Sequence, residues 1–197
     1  MEKLCIASTN EGKICELESI LENVFKLYSL KDFKSIPEIQ EPYESFLENA
    51  QFKAQYYSQF TQILTLSEDA GLEVLALNGF PGIRTHEFIK HSGGLVNAYY
   101  RLAELLSDKE NYSAQFRCAS VLYDPVHGRY YVGEGSMKGS ICFPAKGIHG
   151  FGFDPIFVPD GYEQTVAELG EVIKTAIGHR GKSIRTLLEN YHLGLFL

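Results

Sequence analysis

The chain has 197 residues, and its 18 Lys and Arg against 25 Asp and Glu leave a formal charge of −7. With 45% apolar and 22% charged residues, the composition excludes disordered, collagenous and helical membrane-spanning chains. One domain over 1–197 is the expectation for this length, and so acidic a chain is a poor nonspecific binder of polymeric nucleic acid.

Met1-Glu2-Lys3-Leu4-Cys5 opens without the long apolar stretch of a secretory signal, so a cytoplasmic location away from membranes is expected. Lys3–Ser8 reads as a short buried strand, followed by a turn at Asn10-Glu11-Gly12-Lys13 and a helix with Ile14, Leu17 and Leu21 on one face. Lys26–Leu30 is a second strand. Lys31–Tyr43, polar and holding Pro37 and Pro42, is a loop. Ser45 and Glu48 form a capping box for a helix reaching about Phe60, with Phe46, Ala50, Ala54 and Tyr57 inward. Strands follow at Ile63–Ser67 and Glu73–Leu77, then a turn at Asn78–Gly82 and a helix carrying the stripe Leu95, Tyr99, Leu102 and Leu106. Residues from Ala114 to Leu122 alternate as a half-exposed strand. Asp124–Gly128 is a hairpin loop into a strand over Arg129–Gly139, and the last helices span Glu163–Leu169 and Arg180–Tyr191. Early alternation of strand and helix, with long antiparallel-looking strands in the middle, predicts an α/β fold on a mixed sheet.

Cys5, Cys15, Cys118 and Cys142 form no C-x-x-C pair and read as reduced thiols. The six histidines lack zinc-ligand spacing. Three segments can carry chemistry. Ser8-Thr9-Asn10-Glu11-Gly12-Lys13 places hydroxyls, an amide, a glycine and a lysine at a helix start, where backbone N–H groups and the helix dipole favour a phosphate. It is not a Walker A loop, and an ordinary capped helix start has the same residues. Glu68-Asp69 closes an apolar strand, where open sheets place ligands; one acid could bind Mg²⁺ while the other activates water. The same pair could be a solvated turn. From Val172 to Leu188 there is no acid, yet Lys174, His179, Arg180, Lys182 and Arg185 are present. That is an anion site or a solvated basic face. Just upstream, Gly150-Phe151-Gly152-Phe153-Asp154-Pro155 offers rings to stack on a base and an acid to accept from a ring N–H. Together these are the parts of a Mg²⁺–nucleotide site.

Ala7-Ser8-Thr9-Asn10-Glu11-Gly12-Lys13 with Glu16, Phe46-Leu47-Glu48-Asn49-Ala50 with Lys53, Glu68-Asp69-Ala70-Gly71-Leu72 and Pro81-Gly82 resemble the noncanonical purine NTP pyrophosphatase family, the Ham1-like inosine triphosphate pyrophosphatases. Gly150–Phe157, Asp160-Gly161-Tyr162 with Thr165, Ala167-Glu168-Leu169, Lys174 and Gly178-His179-Arg180 extend the resemblance over nearly the whole chain, and this last block is the most specific.

The resemblance implies an elongated mixed α/β fold of two lobes with a central nucleotide cleft, usually a homodimer. It implies Mg²⁺-dependent hydrolysis of ITP, dITP and XTP to the monophosphate and pyrophosphate. Carried over by residue, Ser8, Thr9, Asn10 and Lys13 would hold phosphates, with Lys53 and Ala70 beside them. Glu41 and Asp69 would surround the metal, with Glu68 a further candidate, and Asp69 would activate the water. Phe151, Gly152, Phe153 and Asp154 would line the base pocket, and Lys174, His179 and Arg180 would close over base and phosphates. The chain departs from the family at Glu87, where an arginine is usual, at Ala70, and at Pro42-Tyr43 after Glu41. A nucleotide sensor of weak turnover and a Maf-like pyrophosphatase for other modified bases are the alternative readings. The acids Glu41, Glu68 and Asp69 favour an enzyme over a sensor, and the Phe151–Asp154 and His179-Arg180 blocks oppose the Maf-like reading.

Overall fold

Leu4, Cys5 and Ile6 are all buried because their strand, β1 (Lys3–Ile6), pairs in parallel with a neighbour on each side. Parallel strands covered on both faces carry continuous apolar runs. The computed structural model describes every residue of 1–197 except 34, 35 and 38. At those three positions the loop reading for Lys31–Tyr43 lies outside the described residues; at its start, Leu30–Asp32 form a turn of 3₁₀ helix. The other strands are β2 (Lys26–Ser29), β3 (Leu64–Val74), β4 (Ser113–Asp124), β5 (Arg129–Ile141) and β6 (Phe157–Pro159). They form one mixed sheet in the order β2-β1-β3-β4-β5-β6, with β6 antiparallel to β5.

The chain makes two compact units. The first comprises Met1–Asp69, Cys118–Gly135 and Arg180–Leu197. Its helices are α1 (Glu11–Leu21), α2 (Phe46–Thr61) and, from Arg180 onward, most of α7 (His179–Leu193). Helix α1 starts where the Asn10 side chain accepts from the Lys13 amide at 3.1 Å, and its stripe Ile14, Leu17 and Leu21 packs with Leu4, Leu66 and Ile184. Ser45 caps α2 by accepting from the Glu48 amide at 3.4 Å, and the helix stops at Gln62, which takes a left-handed conformation with φ 56°.

The second unit comprises Ala70–Arg117 and Ser136–His179. It holds α3 (Thr85–His91), α4 (Leu95–Leu106), α5 (Val166–Leu169) and α6 (Glu171–Ile177). Ala98, Leu102 and Leu106, each four residues on, point α4 into a core of Leu72, Val74, Phe116 and Phe157. Gly71 lies so close to the next turn that a Cβ there would sit 2.1 Å from the Gly82 carbonyl oxygen. Thr85 Oγ1 locks that turn, donating to the Gly82 carbonyl at 2.6 Å and accepting from the Leu72 amide at 3.1 Å. Among the described residues, no helix is long and apolar enough to cross a membrane.

Three sequence expectations are corrected. The two strands at 63–67 and 73–77 are one unbroken strand, β3, so Glu68 and Asp69 lie in its middle. Their charges have partners on the spot, so a strand can carry them through the interior. The second half of β4 is buried on both faces, with Val121 against Ala50 and Ala54 of α2 and Ser120 bonded to Ser183 of α7. The C-terminal region has three helices, punctuated at Gly170 with φ 81° and at Gly178; α3 and α6 were not expected.

Candidate active site

In the first unit, the turn after β1 sets the phosphate-type segment. The Asn10 amide donates to Ser8 Oγ at 3.2 Å, and Thr9 is exposed. From the first turn of α1, Lys13 Nζ reaches Glu68 Oε1 at 3.2 Å. Arg180 supplies a second cation to the same carboxylate, its Nε donating to Glu68 Oε2 at 2.6 Å. Arg180 also donates from Nη1 to Glu16 Oε2 at 2.7 Å. Glu16, Arg180, Glu68 and Lys13 therefore alternate in sign along a chain whose first three members are buried and whose last, Lys13, is half-buried.

Burial works against the Arg180 charge, but Glu68 and Glu16 outweigh it and hold the guanidinium above its ordinary value. Burial likewise pulls the Lys13 amine down, as does the Arg180 charge; Glu68, with help from Asp69, more than restores it. The Cys118 thiol is pushed up to about 12 by burial and then by Glu68. It keeps its proton and donates to Glu68 Oε2 at 3.5 Å.

Side chains alternate along a strand, so Asp69 has different company from Glu68. Asn49 Nδ2 donates to Asp69 Oδ2 at 3.2 Å, while the same amide group exchanges hydrogen bonds with the Tyr43 backbone. Lys53 Nζ donates to Glu41 Oε1 and to the Glu68 carbonyl at 2.8 Å. Burial raises the Asp69 carboxyl above its ordinary value, Lys53 opposes this, Glu41 adds to it, and Lys13 and Asn49 oppose it. Asp69, Glu41 and Lys53 thus form one electrostatic cluster, two carboxylates sharing a cation.

In the second unit, Asp154 organises the aromatic loop. Its Oδ2 accepts from the Phe151 amide at 2.8 Å and pairs with Lys174 Nζ at 2.8 Å. Gly150 has φ 75°, and a Cβ there would sit 2.2 Å from that oxygen, so glycine lets the carboxylate close over its own loop. Lys174 Nζ stands 4.0 Å from the centroid of the Phe151 ring, a cation–π arrangement. Phe153 is buried, stacked on Phe88 at 6.4 Å. His179 is buried with its ring stacked on Phe116 at 4.8 Å.

Of the sequence-derived candidates, the first unit brings together Lys13, Glu68 and Arg180, and separately Glu41, Lys53 and Asp69. The second brings together Phe151, Asp154 and Lys174. Phe153 and His179 pack on core rings, and Ala70 follows Asp69 along β3. Sequence reasoning gave no place in the site to Asn49, Glu16, Cys118 or Tyr99. The first two carried a signal, because each is a polar side chain on the buried face of its helix.

The Ham1 family model matches residues 4–190. The dITP/XTP pyrophosphatase of Flavobacterium johnsoniae is 36% identical over 187 residues, covering 95% of this chain and 96% of that protein. That of Corynebacterium efficiens is 38% identical over 199 residues, covering 94% and 95%. Among solved structures, the Staphylococcus aureus Ham1 protein superposes with a TM-score of 0.85 at 29% identity, covering 98% of this chain and 99% of that one. The nucleoside-triphosphatase, or dITP/XTP pyrophosphatase, of Mycobacterium abscessus does so at 0.74 with 37% identity, covering 94% and 97%. A match over so much of both sequence and fold places this chain in the Ham1 family.

Proposed function

We propose that the chain, acting as one catalytic domain over 1–197, hydrolyses dITP, XTP and ITP to the nucleoside monophosphate and pyrophosphate, clearing them from the nucleotide pool. The observation that carries this is the Asp69–Lys53–Glu41 cluster in a Ham1-family chain whose relatives are dITP/XTP pyrophosphatases.

The donor set fits Mg²⁺. Glu41 and Asp69 are hard oxygen ligands, and among the described residues no group of three acidic, His or Cys side chains converges on one point. A Mg²⁺ ion takes only one or two carboxylates and fills its other positions with waters and substrate phosphates. When bound, it supplies charge neutralisation at the phosphates undergoing attack. Asp69, whose carboxyl burial raises above its ordinary value and so makes a stronger base, takes a proton from the attacking water. Lys13 and Lys53 hold the pyrophosphate that leaves, and in phosphoryl transfer such positioning and charge balance provide most of the catalysis. Glu68 orients Lys13.

At the base, Phe151 stacks while Lys174 and the Asp154 loop read the purine edge. A 6-oxo purine presents an acceptor where adenine presents a donor, so an ammonium aimed there favours inosine and xanthine and leaves adenine mismatched. A homodimer, Mg²⁺ as the physiological ion and a cytoplasmic location complete the reading, and the family resemblance supports them.

The test is product analysis of the ITP reaction without added pyrophosphatase. IMP and pyrophosphate are expected; IDP and orthophosphate as first products overturn the assignment.

A further inference from the structure

Tyr99 is the polar exception on the inward face of α4. Its neighbours there, Ala98, Leu102 and Leu106, go wholly into the core. The Tyr99 ring stands 5.9 Å from the ring of Phe153, and its hydroxyl donates to the Gly152 carbonyl at 2.6 Å. Gly152 has φ 59°, with open space where a Cβ would point, so backbone conformation and not crowding calls for glycine. This peptide joins two differently held rings. Phe153 is buried in the core, while Phe151 sits against the Lys174 ammonium with its amide bound to Asp154. A glycine in the left-handed region is a soft joint unless something holds its peptide plane. The Tyr99 hydroxyl does so from a rigid helix, and burial, followed by the Asp154 charge, pushes its ionisation up to about 12. It therefore remains a donor through the neutral range.

We infer that Tyr99 is a positioning residue for base recognition: by fixing the Gly152 carbonyl it sets the pose in which Phe151 and Asp154 meet the purine. The inference rests on the reading of 151–154 as the base-binding loop. Tyr99 touches no reacting atom, so its effect falls on substrate affinity and on discrimination between bases, and leaves the chemical step alone.

The test compares wild type, Tyr99→Phe and Tyr99→Leu in steady-state hydrolysis of dITP and dATP, with Phe151→Ala as the control for the loop. One lost hydrogen bond corresponds to a factor of about 2 to 12 in an equilibrium. Tyr99→Phe, which keeps the ring and so the packing, is expected to raise KM for dITP by about that factor and to lower the dITP-over-dATP preference, with kcat for dITP within about twofold. Tyr99→Leu, which keeps only apolar filling, is expected to shift KM at least as far. Unchanged KM and preference in both variants, or a fall in kcat at constant KM, overturns the inference. If Phe151→Ala raises KM and the Tyr99 variants do not, only the role of Tyr99 fails. If Phe151→Ala also leaves KM and preference unchanged, the base-binding reading of the loop fails with it.

Discussion

Arg180 and Glu68 meet inside the first unit, Nε to Oε2 at 2.6 Å, with both side chains sealed from water. Removing one partner of such a pair strands the other charge in a poor solvent, which costs about 3–5 kcal/mol. Arg180 also serves Glu16, so Arg180→Leu takes the shared cation from two buried carboxylates, while Glu68 keeps its ion pair with Lys13. We expect a loss of stability in or above that range at pH 7, measured as a shift of the urea midpoint at constant m-value. A midpoint within error of wild type would show that the pair contributes nothing.

Asp69→Asn keeps the shape of the side chain and removes the basicity and the metal affinity that the proposed mechanism assigns to it. Turnover of dITP should fall by about a hundredfold or more, while binding of a nonhydrolysable analogue survives. Retention of near wild-type kcat would remove Asp69 from the mechanism.

The same residue has a stability signature. Its folded-state pKa lies above the ordinary 3.8, burial being the largest cause. The native state therefore holds that proton more tightly than the unfolded chain does. Stability from this group is fully present below the ordinary value and is lost as pH rises through the raised one. Asp69→Asn should accordingly be more stable than wild type at pH 8, with the difference shrinking toward pH 3. Activity should show an acidic limb above 3.8. Melting curves across pH check the first point and a kcat/KM profile the second.

Lys13→Ala removes a cation that Glu68 holds in place. Charge-assisted contacts to phosphate are worth about 1.5–3 kcal/mol, so KM for the triphosphate should rise about tenfold or more. Because the amine is held above its ordinary 10.5, wild-type KM should stay free of any Lys13 titration through pH 9. An unchanged KM in the variant would mean that Lys13 serves Glu68 alone.

Gly150→Ala drives a methyl group to 2.2 Å from the Asp154 carboxylate at a φ of 75°. Asp154 must move, and its pair with Lys174 moves with it. The expected outcome is a raised KM with a lowered preference for dITP over dATP, read in the same steady-state assays. A variant indistinguishable from wild type would show that the loop is not read by the substrate.

The elements that pack on one apolar stripe were legible in the sequence: α1 from Ile14, Leu17 and Leu21, and α4 from Leu95, Tyr99, Leu102 and Leu106, of which Leu102 and Leu106 are buried beside Ala98. What was not legible depended on partners distant along the chain. Glu68-Asp69-Ala70-Gly71 reads as a break, and partners from elsewhere, Lys13 and Arg180 for Glu68 and Asn49 for Asp69, make it tenable inside a strand. The buried half of β4 needed α2 and α7 on its two faces before it could lose its alternation. At the candidate site, the acids and lysines could be picked out by type and spacing. Their pairing could not: Lys53 with Glu41, and Asn49 with Asp69, are set by tertiary contacts.

Asp69 sits midway along β3, a strand with a neighbour on either side, whereas Phe151 and Asp154 occupy a loop bent by glycines with positive φ. A group on a paired strand keeps its place more closely than one on a loop. On the proposed reading, the carboxylate that activates water therefore stands on the firmer element and the base is read by the softer one. Substitutions at 150–154 would then retune which purines are accepted without displacing the group proposed for the hydrolytic step.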